Sequence, residues 1–265
     1  LGITGYDIVK ENPHEELVVI HDRLGYGHCQ LIVAVPETWI DVTTLPDLLD
    51  VSLDFREKKQ RNIRIATTYP NLTRAFLHRN GIHYFNIVKA EGAIEAAPTI
   101  GYADFVVDLT QTGTTLRENH LKILNDGIIL DSQACLIGNR TVIANNPYYL
   151  RLLEIILDRI DSAMIGRKYA QIAANMSGQD MKDVGDKLTA NPITVGLQGP
   201  TISPIYSPEH AENWFAITII VEKHNLFDAV NYLRASGSEQ IVTSAVDAIY
   251  MSESHTYRQI LQEFS

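Results

Sequence analysis

The sequence predicts an α/β protein that ends in a smaller domain of the ferredoxin-like type. Through residue 160, short apolar runs alternate with helical patterns, which is typical of α/β architecture. Beyond Lys168 the patterns follow in the order β-α-β-β-α-β, the order of a ferredoxin-like domain. The chain has 265 residues, 45% of them apolar, so it can bury a sizeable core and form two or three domains.

Short apolar runs mark the strands of the first part, and Pro36 closes the second of them. Pro70 opens a helix that ends near Gly81, since proline suits the first turn and glycine the residue after the last. Asn146 and Pro147 open a second helix with a continuous apolar face. The predicted strands are 18–20, 31–35, 63–67, 105–109 and 134–137.

The second part begins after a predicted linker at 166–168. A capping box at 177–180 precedes the first helix, and Gly237 stops the second, which has Leu226, Val230 and Leu233 on one face. The predicted strands are 169–174, a strand opening at 199–202, 214–221 and 241–246.

The charge balance argues against nucleic acid and membrane partners. There are 22 basic and 32 acidic residues, a formal charge of −10, and the densest basic segment, 56–64, is interpreted as a solvated turn. The longest apolar run, 214–221, is too short to span a bilayer and contains Thr218. With no secretory signal visible, the sequence predicts a soluble intracellular enzyme or ligand-binding protein.

The two cysteines, Cys29 and Cys135, lie apart with apolar neighbours. Without a CxxC pair or a Cys/His quartet, a disulfide scaffold or structural zinc site is not expected. Cys29 is interpreted as a packing residue, since nothing in the sequence predicts a lowered thiol pKa.

The segment from Asp104 to Arg117 carries the most chemical information. An apolar strand ends at Asp108, and a loop containing Thr112, Gly113, Thr114 and Thr115 leads into a helix at Leu116. Backbone N–H groups at a helix N-terminus attract anions, glycine permits close approach, and the hydroxyls add donors. The loop therefore suits a phosphate monoester, and without a Walker lysine it does not suit P-loop hydrolysis.

Asp108 can accept hydrogen bonds from sugar hydroxyls or hold a divalent ion. The alternative, that the loop is an ordinary threonine-rich turn capped by an aspartate, stays open on the residues alone. The same strand-to-helix geometry recurs at Thr67, Thr68 and Tyr69 before Pro70, which predicts a second anion or nucleotide contact or a plain structural junction.

This loop, with segments 91–98 and 101–104, resembles the phosphoribosyl pyrophosphate signature of the ATP phosphoribosyltransferases, which open histidine biosynthesis. Segments 1–5, 24–29 and 66–70 are similar to the same family in the same order, and 199–201 resembles part of the regulatory domain of its long form. The resemblance covers nearly the whole chain and is more specific before residue 165 than after it.

The resemblance implies a bilobed catalytic core like that of type II periplasmic binding proteins, followed by a regulatory ferredoxin-like domain. Lobe I would comprise 1–29 and 141–165, lobe II 30–140, and the regulatory domain 166–265. Strands 30–35 and 134–137 would cross between the lobes. The family's first lobe begins before the segment that matches Leu1, so a first strand and part of the nucleotide site are expected upstream of it.

The implied reaction is attack by N1 of the ATP adenine on C1 of phosphoribosyl pyrophosphate, with loss of pyrophosphate. That nitrogen has a free lone pair, so no strong general base is required, and catalysis depends on positioning and charge stabilisation. Magnesium on the pyrophosphate is the implied cofactor.

The resemblance also assigns residues. Thr112–Leu116 would hold the 5-phosphate, Asp108 the ribose hydroxyls, and Glu95 the magnesium-pyrophosphate end, with Asp104 as a weaker candidate. Glu95 has an alternative role as a carboxylate at a helix start. Thr201 is the expected effector contact.

The implied partners are ATP and phosphoribosyl pyrophosphate as substrates, histidine as inhibitor, and further copies of the chain in a homohexamer or a dimer. Bacterial cytosol and plastid stroma suit the composition equally. Two alternatives stay open: a non-catalytic solute-binding module of the same bilobed fold, and a catalytically weakened regulatory paralogue.

Overall fold

A computed structural model describes residues 1–89, 92–206 and 213–264. The chain divides into two compact units, Leu1–Asn146 and Pro147–Ser265. Glu91, part of one segment on which the resemblance rests, lies outside the described residues. Over the described ranges, no helix has the length and apolar character needed to cross a membrane.

The first unit contains two sheets. The smaller, here called lobe I together with its helices, is antiparallel in the order β1-β8-β2. A short helix follows β1 directly and another follows β8. The elements of lobe I are β1 (Gly2–Gly5), α1 (Tyr6–Glu11), β2 (Leu17–His21), β8 (Ala134–Asn139) and α5 (Arg140–Ala144).

The larger sheet, here called lobe II together with its helices, has five strands in the order β5-β4-β6-β3-β7. The strands are β3 (Cys29–Pro36), β4 (Ile63–Thr67), β5 (Phe85–Lys89), β6 (Phe105–Thr110) and β7 (Leu121–Ser132). β4 runs parallel to β5 and β6, whereas β3 is antiparallel to β6 and β7. Residues 31–35 of β3 are fully buried, because helices or loops cover both sheet faces there.

Lobe II also contains α2 (Leu45–Lys58), α3 (Pro70–Arg79), a 3₁₀ turn (Ile94–Ala96) and α4 (Thr114–Glu118). The sequence interpretation missed α2 and took its basic end for a turn. The helix is amphipathic, with Leu48, Ser52 and Phe55 buried against the sheet, and its start is capped where the Thr44 N–H donates to the Asp47 carboxylate at 2.8 Å.

Two connections join the lobes, residues 22–28 and Gln133. Two backbone hydrogen bonds of 3.0 Å tie the first connection to the first residue of β8: the Leu24 N–H donates to the Ala134 carbonyl, and the Ala134 N–H donates to the Tyr26 carbonyl. The predicted crossing strands are therefore corrected: β3 pairs only within lobe II and β8 only within lobe I. Residues 134–140, predicted for lobe II, belong with lobe I because β8 is the central strand of its sheet.

The second unit has one four-stranded antiparallel sheet in the order β10-β11-β9-β12. This order confirms the ferredoxin-like fold. The helix that follows β9, α7, begins where the Asp180 carboxylate accepts from the Asp183 N–H at 2.8 Å, as the capping pattern predicted. The elements are α6 (Pro147–Gly166), β9 (Tyr169–Ser177), α7 (Met181–Thr189), β10 (Thr201–Pro204), β11 (Trp214–Glu222), α8 (Leu226–Ala235), β12 (Ser238–Ala245) and α9 (His255–Phe264).

Helices α6 and α9 frame the second unit in sequence. Residues 141–165 were predicted as part of lobe I. Residues 141–146 lie in the first unit, whereas α6 lies in the second unit and packs against α9. The terminal helix α9 was not anticipated. It is strongly amphipathic, and Ile260 on its apolar side is 3% exposed.

Candidate phosphate-binding site

The predicted anion loop lies at the end of β6. Phe105, Val106 and Val107 are fully buried, so the strand is held from both faces and ends in the half-buried Asp108. The chain then turns at 111–113 into α4. A rigid strand therefore carries a carboxylate to the base of an exposed loop, the arrangement that the apolar run and its polar end predicted.

The loop is held by its own side chains. Gly113 has φ +71°, in the left-handed region that costs other residues strain, and its N–H donates to the Thr110 hydroxyl at 2.9 Å. The hydroxyl oxygens of Thr112 and Thr114 lie 2.9 Å apart. Thr112, Thr114 and Thr115 are exposed. The loop therefore presents three hydroxyl groups to solvent on a defined backbone.

Leu116 contributes to the site through its backbone alone, because its side chain is buried in the lobe II core at 3% exposure. The Arg117 N–H donates to the Gly113 carbonyl at 3.1 Å, so the N–H groups of residues 114–116 lie at the open end of α4.

Arg117 was missed from the sequence. A nitrogen of its guanidinium lies 3.4 Å from both the Thr112 carbonyl oxygen and the Thr114 hydroxyl. It thus adds a positive charge and a brace to the loop. The three-residue spacing between Thr114 and Arg117 on a helix could have indicated this contact.

Asp108 lies in an electrostatic setting that favours its protonated form. Burial raises the pKa of Asp108, and the charge of Glu95 raises it further, against a hydrogen bond from the Leu109 N–H at 2.8 Å. Glu95 lies in the 3₁₀ turn and is half-buried. The two carboxylates singled out from the sequence therefore lie near enough for their charges to interact.

Asp104 belongs to a structural ion pair and not to this site. Its carboxylate accepts from Arg61 at 2.7 and 2.8 Å, from the Arg64 side chain at 3.2 Å and from the Arg64 N–H at 2.7 Å. Burial would raise the pKa of Asp104, but these bonds outweigh it and lower the pKa to about 2. The prediction of Asp104 as a metal candidate is corrected, because two arginines already neutralise it.

We expect Asp104→Asn to lower the free energy of unfolding by about 2–3 kcal/mol at neutral pH, the linkage value of a pKa lowered by roughly two units from about 3.9. The folded pKa lies below the unfolded one, so the stabilisation is present above pH ~4 and is lost as the pH falls towards ~2. Urea titrations at several pH values should show that the free energies of unfolding of the unsubstituted protein and of Asp104→Asn converge in acid. A constant difference would contradict the assignment.

The second predicted anion site holds an internal anion. The Thr67 hydroxyl accepts from the Tyr69 N–H at 2.9 Å, and the buried Tyr69 hydroxyl donates to Asp7 at 2.7 Å. Burial, and then Asp7, raise the pKa of Tyr69, so the phenol keeps its proton. The first N–H groups of α3 bond to the Glu11 carboxylate. Of the three predicted residues, Thr68 alone has an exposed side chain.

A cavity of about 670 Å³ lies beside the loop and the two lobe connections. Arg23, which the sequence left as a surface residue, lines it, as does Cys29, whose thiol pKa is raised by burial and by Asp7. The Gly-Tyr-Gly turn before His28 is the sequence feature that could have indicated that Arg23 lies beside a ligand-sized cavity. The remaining lining residues are His28, Gln30, Thr110, Gln111, Asp131, Ser132 and Gln133.

Comparisons with known proteins divide the chain after most of α6, whereas the two compact units divide just before that helix. Residues 1–162 match the family profile described as ATP phosphoribosyltransferase, and residues 167–248 match the profile of that family's C-terminal domain. The chain belongs to the ATP phosphoribosyltransferase family. The match confirms the resemblance inferred from the loop and the flanking segments.

Individual relatives in the family are similar over most of the chain. ATP phosphoribosyltransferase 2, chloroplastic, of Arabidopsis thaliana is 35% identical over 98% of this chain and 64% of its own length. The ATP phosphoribosyltransferase of Bradyrhizobium diazoefficiens is 34% identical over 98% of this chain and 77% of its own length. That of Brucella suis is 53% identical over 62% of this chain and 70% of its own length. The chain thus spans just under two thirds of the length of its Arabidopsis relative.

The second unit carries the residue predicted to contact an effector. Thr201 is the first residue of β10, is exposed, and pairs with Thr218 of β11. It lies within the part of the chain that matches the family's C-terminal domain. An exposed hydroxyl at the edge strand of a sheet is accessible to a small ligand, and its role stays a prediction.

Proposed function

We propose that this protein transfers the 5-phosphoribosyl group of phosphoribosyl pyrophosphate to N1 of ATP. Phosphoribosyl-ATP and pyrophosphate are the products, and the reaction is the first step of histidine biosynthesis. The observation that supports this most directly is the pairing of Asp108 with the hydroxyl-rich loop of residues 110–116, in a chain of the ATP phosphoribosyltransferase family. A strand-end carboxylate beside an anion loop suits a sugar phosphate.

The loop binds the 5-phosphate in this proposal. The N–H groups of residues 114–116 and the hydroxyls of Thr112, Thr114 and Thr115 donate to phosphate oxygens, with Arg117 adding charge. Asp108 accepts hydrogen bonds from the ribose hydroxyls and so orients C1 towards the nucleophile. The electron pair of adenine N1 forms the new bond to C1 while the bond to the pyrophosphate oxygen breaks, and no side chain has to remove a proton.

Magnesium fits the carboxylates that the site offers. Carboxylate oxygens are ligands that Mg²⁺ prefers, and it commonly binds through one or two of them plus substrate phosphates. Within the described ranges no group of three or more His, Cys, Asp or Glu side chains could hold a metal by itself. Asp108 and Glu95 would therefore hold the ion together with substrate oxygens, and the bound ion would offset the charge of the departing pyrophosphate.

Regulation is proposed for the second unit. Histidine would bind the ferredoxin-like domain, with Thr201 among its contacts, and lower turnover. The proposed assembly is a homohexamer, with a dimer as the smaller alternative. A location in bacterial cytosol or plastid stroma agrees with relatives from both settings.

The test is the reaction itself. The purified protein is mixed with ATP, phosphoribosyl pyrophosphate and magnesium, and the ultraviolet change on ribosylation of adenine N1 is followed with and without histidine. Product formation that histidine suppresses supports the whole proposal. Product formation that histidine does not change supports the enzyme activity but contradicts the proposal that histidine is the effector. Folded protein that binds the donor without turnover would favour the weakened paralogue, and loss of donor binding as well would favour a solute-binding module.

We expect Glu95→Gln to shift the acidic limb of the kcat/KM profile to lower pH. Burial is the main cause of the raised pKa of Asp108 and stays in place, but removal of the Glu95 charge takes away a further cause and so lowers that pKa. The limb reports ionisation of the free enzyme. Glu118→Gln, an exposed residue of α4, is the control. An unmoved limb would show that Asp108 does not determine it.

A further inference from the structure

A buried carboxylate joins the two lobes of the first unit. Glu11 closes α1 in lobe I, is 4% exposed, and accepts hydrogen bonds from the Asn71 N–H at 2.7 Å and the Leu72 N–H at 2.9 Å. Its backbone carbonyl also accepts from the Asn71 side chain at 3.0 Å. One residue of lobe I thus caps α3 of lobe II, with its two carboxylate oxygens used separately.

A second buried carboxylate on α1 reaches the same region. Asp7 accepts from the Ser132 hydroxyl at 2.6 Å and from the Tyr69 hydroxyl at 2.7 Å, and its own N–H donates to the Ser132 oxygen at 2.9 Å. Ser132 immediately precedes the connection at Gln133. Helix α1 is therefore tied at one end to a lobe connection and at the other to the start of α3.

The start of α3 lies close to the proposed site. β4 and β6 are parallel neighbours in which Ala66 pairs with Val106, so the segment that leads into α3 and Asp108 lie at the same end of the sheet. The charge of Asp108 also contributes, after burial and Asp7, to the raised pKa of the Tyr69 hydroxyl. Asp108, Glu95 and the phosphate loop are all carried by lobe II. The contacts of α1 therefore set how lobe I is placed against the part of lobe II that carries them.

We propose that Glu11 is a positioning residue that latches lobe I to α3 in the arrangement required for phosphoribosyl transfer. The inference rests on the proposed function. The donor loop is complete within lobe II, so donor binding does not need the latch. Transfer needs the second substrate aligned with C1, and small misplacements of reacting groups cost large factors in rate. The latch is a carboxylate because both neighbouring N–H groups require an acceptor.

The test substitutes Glu11→Gln. The amide keeps the size of the side chain but offers one acceptor oxygen, and its NH₂ group faces an N–H donor. We expect kcat to fall about 10–100-fold, the cost of a misplacement of up to about 1 Å, with the dissociation constant for phosphoribosyl pyrophosphate within about twofold of the unsubstituted value. Glu15→Gln, an exposed residue just beyond α1, is the matched control. A kcat equal to that of the control would overturn the proposal. So would a loss of affinity for phosphoribosyl pyrophosphate as large as the loss of kcat.

Hydrogen exchange separates this inference from the proposed function. The amides of Asn71 and Leu72 should exchange faster in Glu11→Gln, while the amides of 114–116 keep their rates, even if the protein transfers no phosphoribosyl group. Unchanged exchange at Asn71 and Leu72 would overturn the latch. If Glu11→Gln does not fold, Asn71→Ala serves instead, since Asn71 is exposed and loses only the bond to the Glu11 carbonyl. The same split between kcat and donor binding is then expected, with a smaller fall in kcat.

Discussion

Asp108→Asn should lower kcat/KM for phosphoribosyl pyrophosphate by about 10²–10³-fold, the usual cost of removing one preorganised polar contact from a transition state. The amide keeps the shape of the side chain but loses the charge that, in the proposed site, would accept hydrogen bonds from the ribose and help to hold magnesium. Steady-state kinetics with both substrates varied in turn provides the measurement. The loss should appear mainly in kcat, because the phosphate loop still binds the donor.

Asp50→Asn is the control for this experiment. Asp50 is an exposed aspartate on α2, within the same lobe, and its substitution should leave kcat/KM unchanged. Asp108→Ala should be at least as damaging as the asparagine variant. If either Asp108 variant retains full turnover with intact folding, the assignment of the sugar contact is wrong, and the role of the loop as donor site would require other support.

Phe105→Ala should destabilise the first unit by about 3–5 kcal/mol, the range measured for truncation of a fully buried phenylalanine. Phe105 opens β6, has no exposed surface, and belongs to the core cluster that includes Leu31 and Leu48. The cavity left behind cannot easily collapse, because β6 is paired on both sides, with β3 and β4. The strand that carries Asp108 would lose its main anchor.

Denaturant unfolding followed by Trp39 fluorescence measures this effect. Trp39 packs against the same core cluster, and a Trp214→Phe background removes the signal of the second unit, which can unfold in a separate transition. Ile100→Ala is the matched control, since this residue is 74% exposed in the same unit. A shift in midpoint no larger than that of the control would mean that Phe105 does not anchor the lobe.

Local sequence patterns were sufficient to predict an element where the residues that define it are neighbours in the chain. The apolar run of β6, its terminal Asp108 and the Gly113 turn predicted the anion loop, because strand, turn and helix start are neighbours in sequence. The β-α-β-β-α-β order predicted the second unit for the same reason. Helix α2 and strand β7 were missed, since polar residues interrupt their apolar patterns: Ser52 is buried within α2, and Asn125-Asp126-Gly127 breaks β7.

Side-chain partners separated by many residues could not be predicted. The sequence made Asp104 a metal candidate, but its carboxylate is paired with Arg61 and Arg64. No residue near Asp104 in the sequence indicates those two partners. The junction at Thr67–Tyr69 looked like an open anion site, yet Glu11, sixty residues away from Asn71, occupies the start of α3.

The amino-acid sequence alone was enough to establish the family and the α/β and ferredoxin-like folds, and to predict the phosphate loop, because these depend on periodicity and on residues adjacent in the chain. Tertiary structure alone decided which carboxylates are available to a substrate. Asp108 accepts one backbone hydrogen bond and feels the charge of Glu95, whereas the carboxylates of Asp104, Asp7 and Glu11 each accept two or more hydrogen bonds from protein groups. The reason is physical: a buried carboxylate needs donors, and folding brings those donors from distant parts of the chain.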